Sequence, residues 1–514
     1  MKFNYTGNSN YFNFDFPSCE LRVPSWTALN MKFDSIIKNG TVVFPFHGEV
    51  KCEIGIKAGK IAAICDEIDA NQAENVFDAK GKYVFPAAID SHFHVGIYRP
   101  HSEDAQSESM SALVGGVGTV ISYWRTGHHY LNKTGPYKEI LPEVMQLSDG
   151  NFYTDYCYHI AVMTADQLDE VEWLVENAGV GSFKFYMFYK ALTLSADSTK
   201  GSDYTMAENY DLGHLFELMT RVSAMAEKHK DKARISLSLH CENPELIRVF
   251  IERANKQGLT GLKAYSEGRP PLSEKLSVHE AAILADATGC PINLLHLSSR
   301  DALQAGIDVR RTYPNHDIKL ETTLHHLALD HEELDRNGIG LKGKVNPPIR
   351  TREHSEFLWE GIKRGHVDTV VSDHACCGEE HKQQGVWGSL PGFGGTSILY
   401  PVLLSEGCHK RGVSLVRVAE LVSANPARNF GLFPRKGCIS IGADADFAIV
   451  DMNLEKPITA SEALSAQDHT PFEGFMTKGW VTQTIIRGNL QFDNGKVVGK
   501  KQGVFIKRPI ALHS

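Results

Sequence analysis

Residues 83–94 read YVFPAAIDSHFH, and this stretch decides the fold. It is a short, nearly continuous apolar run that ends in residues able to do chemistry. Continuous runs suit strands buried on both faces, because a strand with one wet face alternates instead. Seven more runs follow: GTVISYW, YCYHIAVM, SFKFYM, ISLSLHCE, INLLHLSS, IKLETTLHHL and DTVVSD. Between them lie stretches with helical spacing. In GHLFELMTRVSAMAEKHK, Leu215, Leu218, Met219, Val222 and Met225 fall on one face, and SVHEAAILADATG closes at Gly289. Eight strands alternating with helices predict a parallel sheet, and eight is the count of a closed (β/α)8 TIM-type barrel.

Outside this middle the pattern changes. FDSIIKNGTVVF, EVKCEIGIKAGKIAAIC and NVFDAKGKYVF are short β-type runs cut by Asn-Gly, Ala-Gly and Lys-Gly turns, and ADFAIVD, VTQTIIRG and GKVVG near the other end read the same way. The expected organisation is an N-terminal extension over 1–30, a small β-sandwich domain built from both chain ends over 31–84 and 431–514, and a barrel over 85–430. A chain of 514 residues exceeds one compact core, which agrees with two domains.

Apolar residues make up 42% and charged residues 22%, the profile of a globular chain. A formal charge of −9 leaves no basic excess for nucleic acid or an anionic membrane surface, so neither is expected as a partner. No apolar run is long enough to span a bilayer, and MKFNYTGNSNYFNFDF lacks the apolar core of a signal peptide. A cytoplasmic protein is the expectation. The ten cysteines form no C-x-x-C pair and read as reduced thiols.

Barrel enzymes carry their chemistry at the C-terminal ends of the strands. The first run ends in Asp90-Ser91-His92-Phe93-His94. Histidines at i and i+2 of a strand point the same way, so both imidazoles can reach one ion. The fourth run carries Lys184, the fifth ends in His240, the sixth in His296 and the eighth in Asp373. Each alone has a plainer reading: a chance H-x-H, a core histidine, a stray cation, a helix cap. Together, polar groups ending strands 1, 4, 5, 6 and 8 point to a metal centre of nitrogen and oxygen ligands, zinc or a similar divalent ion.

With this order of residues the chain resembles the amidohydrolase superfamily, and within it the cyclic amidohydrolases: hydantoinase, dihydropyrimidinase, allantoinase and dihydroorotase. The resemblance runs from about residue 33 to 490 through FPAAIDSHFH, SFKFYMFYK, LHCENPELI, LLHLSS, NPPIR, SDHA, PGFGGTS, SANPARNFGL, GADADFAIVD and TPFEGF. It implies two divalent metal ions, zinc by expectation, held by His92, His94, Lys184, His240, His296 and Asp373. Lys184 would carry carbon dioxide as a carbamate bridging the pair. Asp373 would move the proton from the attacking hydroxide to the leaving nitrogen. Tyr189, five residues after Lys184, would hydrogen-bond the oxyanion, and Asn346 in VNPPIR would contact the ring amide. Plainer readings of these two are a rim aromatic and a turn residue before Pro347. The implied partner is a small cyclic amide or imide, and the implied assembly a homotetramer or dimer.

The chain departs from the dihydroorotase pattern. Gly96 stands where that enzyme has the arginine that holds the substrate carboxylate, and Asp373-His374-Ala375-Cys376-Cys377 lacks its later histidine. Only Arg99 or Arg125 is left to substitute. The aromatic candidates Phe93, Tyr98, Trp124, Phe188 and Trp387 suggest a neutral ring with an apolar substituent. Cys376 and Cys377 read as buried inert thiols, with pocket-lining thiols as the alternative. His325 and His326 read as residues that support the ligands or the fold rather than as ligands themselves. The expected activity is hydantoinase- or dihydropyrimidinase-like opening of a cyclic amide. Alternatives are a dihydroorotase- or allantoinase-like amidase, a hydrolase of linear amides, and a non-catalytic scaffold.

Overall fold

The structure, a computed structural model, describes residues 31–127, 129–189 and 210–508. The expected N-terminal extension over 1–30 lies outside the described residues.

Its centre is a parallel barrel. The strands are Ala88–His94, Val117–Arg125, Asp155–Ala161, Ser182–Tyr186, Ser236–His240, Ile292–Leu294 and Ile318–Thr323, with an eighth in two pieces, Thr369–Val371 and His374–Ala375. The first piece pairs with the seventh strand (Glu321↔Thr369) and the second with the first strand (His374↔Phe93), which closes the barrel. All residues of the first, third, fourth and fifth strands are buried, which is why these segments read as continuous apolar runs. Helices cover the outside. Leu212–His229 starts at Asp211, whose side chain accepts from the Gly213 and His214 amides. Pro271–Thr288 ends at Gly289, whose φ of 74° is the left-handed stop that glycine adopts freely.

Two further sheets form the smaller part. One has four strands in the order Lys60–Cys65, Glu53–Lys57, Phe33–Lys38 and Ala73–Asp78. The other has seven and draws on both ends of the chain: Thr41–Phe44, Gly48–Lys51 and Tyr83–Pro86 join Phe447–Pro457, Met476–Ile486, Asn489–Asp493 and Lys496–Val497. Ile54, Ile56, Val42, Val84, Phe447 and Ile485 share one apolar core between them.

The run at 83–94 is two strands rather than one. Tyr83–Pro86 pairs with Phe447–Pro457 in the seven-stranded sheet, and Ala88–His94 opens the barrel. Pro86 has no amide hydrogen to continue a ladder, so the chain changes sheets there. The Ala87 amide donates to the Asp446 carbonyl at 3.0 Å and the Ala88 amide to Gly116 at 2.9 Å. No helix among the described residues is long and apolar enough to cross a membrane.

Candidate metal centre

The break in the eighth strand builds one side of the site. Asp90, on the first strand, accepts from the Ser372 amide at 3.2 Å and the Ser372 hydroxyl at 2.5 Å, which pins the break next to the first strand. Asp373 then adopts a φ of 51°, unusual for a residue with a side chain, and its Oδ1 lies 3.0 Å from His92 Nε2 and 3.4 Å from His94 Nε2. One ligand atom from each of the three fits within 4.8 Å of the others. The second nitrogen of each ring is occupied: His92 Nδ1 faces Glu321 Oε1 at 2.8 Å and His94 Nδ1 faces the Tyr130 hydroxyl at 3.0 Å. This orients both Nε2 atoms towards Asp373. Phe93, between them, turns the other way and stacks on His374 with centroids 4.6 Å apart.

The other side comes from strands four to six. The Lys184 amine lies over the ring of Tyr123 at 4.3 Å and of Tyr186 at 4.8 Å. Among the described residues it makes no ion pair or hydrogen bond, and burial lowers its pKa to about 7. His240 Nε2 faces Glu242 Oε2 at 2.6 Å, and Arg269 donates to both oxygens of Glu242 at 2.9 and 2.5 Å. The His240 ring meets His296 edge-on at 4.3 Å, and His296 lies 5.2 Å from His92. His296 Nδ1 is buried without a partner, and its backbone sits at a φ of 36°. Among the described residues eleven non-glycine residues have a positive φ, His296 and Asp373 among them, and such backbone persists where surrounding structure enforces it. Burial pushes His92 and His296 well below the ordinary histidine range and His240 to about 4, so all three are neutral at pH 7, the form that ligates.

These residues fit a divalent ion. Neutral imidazoles with one nitrogen tied back, a facing carboxylate, an orphaned His296 nitrogen and an unpaired amine form a donor set with few other uses in a buried place.

His92, His94, Lys184, His240, His296 and Asp373 all line one cavity, open to solvent, with Tyr189 and Asn346. Tyr189 stacks on Tyr186 at 4.7 Å, and Asn346 Oδ1 accepts from the Tyr265 hydroxyl at 2.5 Å. Of the aromatic candidates, Tyr98 and Phe188 line the cavity, whereas Phe93 and Trp124 are packed in the core. Trp387 lies elsewhere, its indole donating to Asn255. Cys376 and Cys377 are buried and Ala375 takes the wall position beside them. His326 is bonded at both nitrogens, to Thr323 and to the Pro347 carbonyl, and so holds the turn that carries Asn346. Gly96 has a φ of 78°, and a Cβ there would stand 2.9 Å from His101 Nδ1, so backbone and space both disfavour a side chain. Sequence reading missed Tyr130, Tyr186, Glu321 and the Glu242–Arg269 pair. A carboxylate inside IKLETT, on a strand with buried faces, was the available signal for Glu321.

The amidohydrolase family model matches residues 83–498, and the chain belongs to that family. It is 31% identical to an allantoinase of Bacillus licheniformis over 489 residues, 93% of this chain and all of the relative. It is also 31% identical to a D-hydantoinase of Geobacillus stearothermophilus, covering 92% of this chain and 96% of that one. Among solved structures, a D-hydantoinase superposes with a TM-score of 0.81 at 29% identity, covering 92% of this chain and 98% of that chain.

Proposed function

We propose that this amidohydrolase hydrolyses the endocyclic amide or imide bond of a small cyclic substrate, at two zinc ions held by His92, His94, His240, His296, Asp373 and a carbamate on Lys184. The observation that carries the reading is the convergence of these six side chains on one cavity. Relatives across nearly the whole chain carry the names allantoinase and D-hydantoinase, which supports the same class of reaction. The unpaired Lys184 amine, with its pKa lowered to about 7, supports the carbamate, because only a neutral amine attacks carbon dioxide.

Bound there, the two ions would lower the pKa of water and polarise the ring carbonyl. The protein's own groups do the rest. Asp373 takes the proton of the attacking water and returns it to the ring nitrogen as the C–N bond breaks, so one water is consumed and an acid and an amine-type nitrogen result. The Tyr189 hydroxyl donates to the carbonyl oxygen as negative charge develops on it. Asn346 pairs with the ring amide, and its Oδ1 is already oriented by Tyr265. Glu321, Tyr130 and Glu242 hold the imidazoles in place. The division into an extension over 1–30, a composite sandwich over 31–84 with 431–514 and a barrel over 85–430 belongs to this proposal.

Elemental analysis is expected to find two metals per chain, and metal-replete protein is expected to open hydantoin or dihydrouracil, followed by loss of ultraviolet absorbance. No turnover across a broad panel of cyclic amides and imides would overturn the reading.

A further inference from the structure

The cavity wall holds one more charged group that the reaction above does not use. Arg125 ends the second barrel strand, Val117–Arg125, and lines the cavity with the six ligand candidates. Its NH1 donates to the Thr126 carbonyl at 3.1 Å, and no carboxylate lies within ion-pair distance of it among the described residues. Other buried arginines are answered. Arg269 has Glu242, Arg350 has Glu274 at 3.0 Å, and Arg508 has Ser182 and two backbone carbonyls.

The guanidinium is held from its faces. Its carbon lies 5.7 Å from the centre of the Tyr130 ring and 5.6 Å from that of Tyr189. Two tyrosine faces stabilise the cation without neutralising it. The Tyr189 hydroxyl also accepts from the guanidinium, and the N–H groups left beyond it and the Thr126 carbonyl match a carboxylate with two parallel hydrogen bonds. Tyr130 links this group to the metal centre, since its hydroxyl also bonds His94 Nδ1 at 3.0 Å. Arg125 thus stands one tyrosine away from a candidate metal ligand, on the wall of the cavity that the ligands line. Asp373 is the one carboxylate among the lining residues, so the wall has no anion to spare for Arg125. The expectation of an apolar substituent keeps Tyr98 and Phe188 but loses Phe93, Trp124 and Trp387, none of which lines the cavity.

Resting on the ring-opening reading, we propose that Arg125 is a specificity-determining residue that receives a carboxylate on the substrate, so that the substrate class is a cyclic amide or imide bearing an acidic side group. Gly96 removes the carboxylate anchor expected on the first strand; Arg125 supplies one from the second.

The test compares hydantoin-5-acetic acid with hydantoin-5-acetamide, which share a size and differ in charge. Calorimetric binding to metal-loaded protein reads affinity independently of turnover. The acid is expected to bind about tenfold or more tighter than the amide, and Arg125→Gln to collapse that preference to near one. Arg125→Lys, which keeps the charge and loses the fork, is expected to fall between, and a cooperative melt of each variant checks folding. Equal affinity in the wild type, a preference that survives Arg125→Gln, or binding of neither compound would overturn the proposal. Ring opening with equal affinity for both would remove the anion site and keep the reaction. An Arg125-dependent preference with neither ring opened would remove the reaction and keep the anion site.

Discussion

Among the described residues three buried clusters qualify as metal sites by geometry alone; Asp104, Glu108 and Cys376 form one, and the comparison lies between the other two. One is His92, His94 and Asp373; the other is Asp155, Asp444 and Asp446, and in each the ligand atoms lie within 4.8 Å of one another. The second cluster is already filled by the protein. Lys436 Nζ lies 2.6 Å from Asp155, 2.9 Å from Asp444 and 2.5 Å from Asp446, and Arg487 pairs with Asp155 as well. It joins the start of the third barrel strand to the segment that leads into Phe447–Pro457. The first cluster also has a lysine close by, but Lys184 faces tyrosine rings and, among the described residues, pairs with no carboxylate. A cluster whose charges are all answered holds the fold together, whereas one left with an orphaned imidazole nitrogen and an unpaired amine is built for something not made of protein.

The comparison breaks first at the lysines. Lys184→Ala removes the only group proposed to bridge two ions, and activity is expected to fall by about a thousandfold or more, with metal content dropping below two per chain. The melting temperature of the metal-free protein should barely change. An active, metal-replete Lys184→Ala protein would sink the carbamate model.

Lys436→Met is expected to do the opposite. It leaves Asp446 beside two other carboxylates without its cation, while Arg487 still answers Asp155 and Lys60 and Arg435 still answer Asp444, a loss of about 3 kcal/mol in stability. Activity per folded molecule should hold, because Lys436 is not near the cavity. The pH dependence reverses too. Burial pushes the Asp444 carboxyl up, but Lys436 and Lys60 more than offset this and hold it below its ordinary value. Its folded pKa is thus below its unfolded one, so the stability it contributes is present above pH about 4 and is lost on further acidification. Without Lys436 the Asp446 carboxyl, already raised by burial, rises further, so its share of stability should increase as pH falls from 7 towards 5. Chemical denaturation across pH measures this; parallel pH profiles for variant and wild type would show that the cluster is not closed by Lys436.

The open cluster was legible in the sequence and the closed one was not, for a physical reason. His92, His94, Lys184, His240, His296 and Asp373 each end or interrupt an apolar strand, where a polar group stands out, and the barrel brings strand ends together whatever the loops do. Asp155, Lys436, Asp446 and Arg487 sit at a strand start and in connections, where charged residues are ordinary, and they meet only across the domain junction. Partnership is likewise not a property of one position. Arg99 and Arg125 looked alike as stand-ins for the missing arginine, yet Arg99 faces Asp104 and Glu108 while Arg125 lines the cavity. Among the aromatic expectations, Tyr98 and Phe188 line the cavity, and Phe93 fails by simple alternation: in His92-Phe93-His94 the histidines face inward, so the phenylalanine cannot. The eight-strand count survived because periodicity reports burial, but the run at 83–94 hid a change of sheet that only Pro86 signalled.

Glu321 tests how far the open cluster depends on its support. It holds His92 Nδ1 at 2.8 Å and accepts from the His296 amide at 3.3 Å, so it touches two ligand candidates. Glu321→Gln keeps the shape and weakens the pull on His92. Metal affinity is expected to drop by about 10–100-fold, read by competition with a chelator. Unchanged affinity would mean that packing alone orients His92.

The smallest effect sharpens the comparison most, because it concerns the site before any ion binds. Burial lowers Lys184 to about 7, while the unfolded chain keeps an ordinary lysine near 10.4. Between these values the unfolded state binds the extra proton, so metal-free stability should rise with pH across that window. Below pH about 7 both states are protonated and the whole cost of a buried, unpaired ammonium is present. Lys184→Met removes that cost, so the metal-free variant should be more stable than metal-free wild type at pH 6–7, by on the order of 1 kcal/mol, and the gap should close towards pH 10. The gain is modest because the Tyr123 and Tyr186 rings already stabilise the cation and solvent reaches the cavity. At the closed cluster the same lysine-to-methionine change destabilises. A metal-free Lys184→Met protein that also loses stability at pH 7 would mean that Lys184 is paired after all, and the distinction between an open and a closed cluster would fall with it.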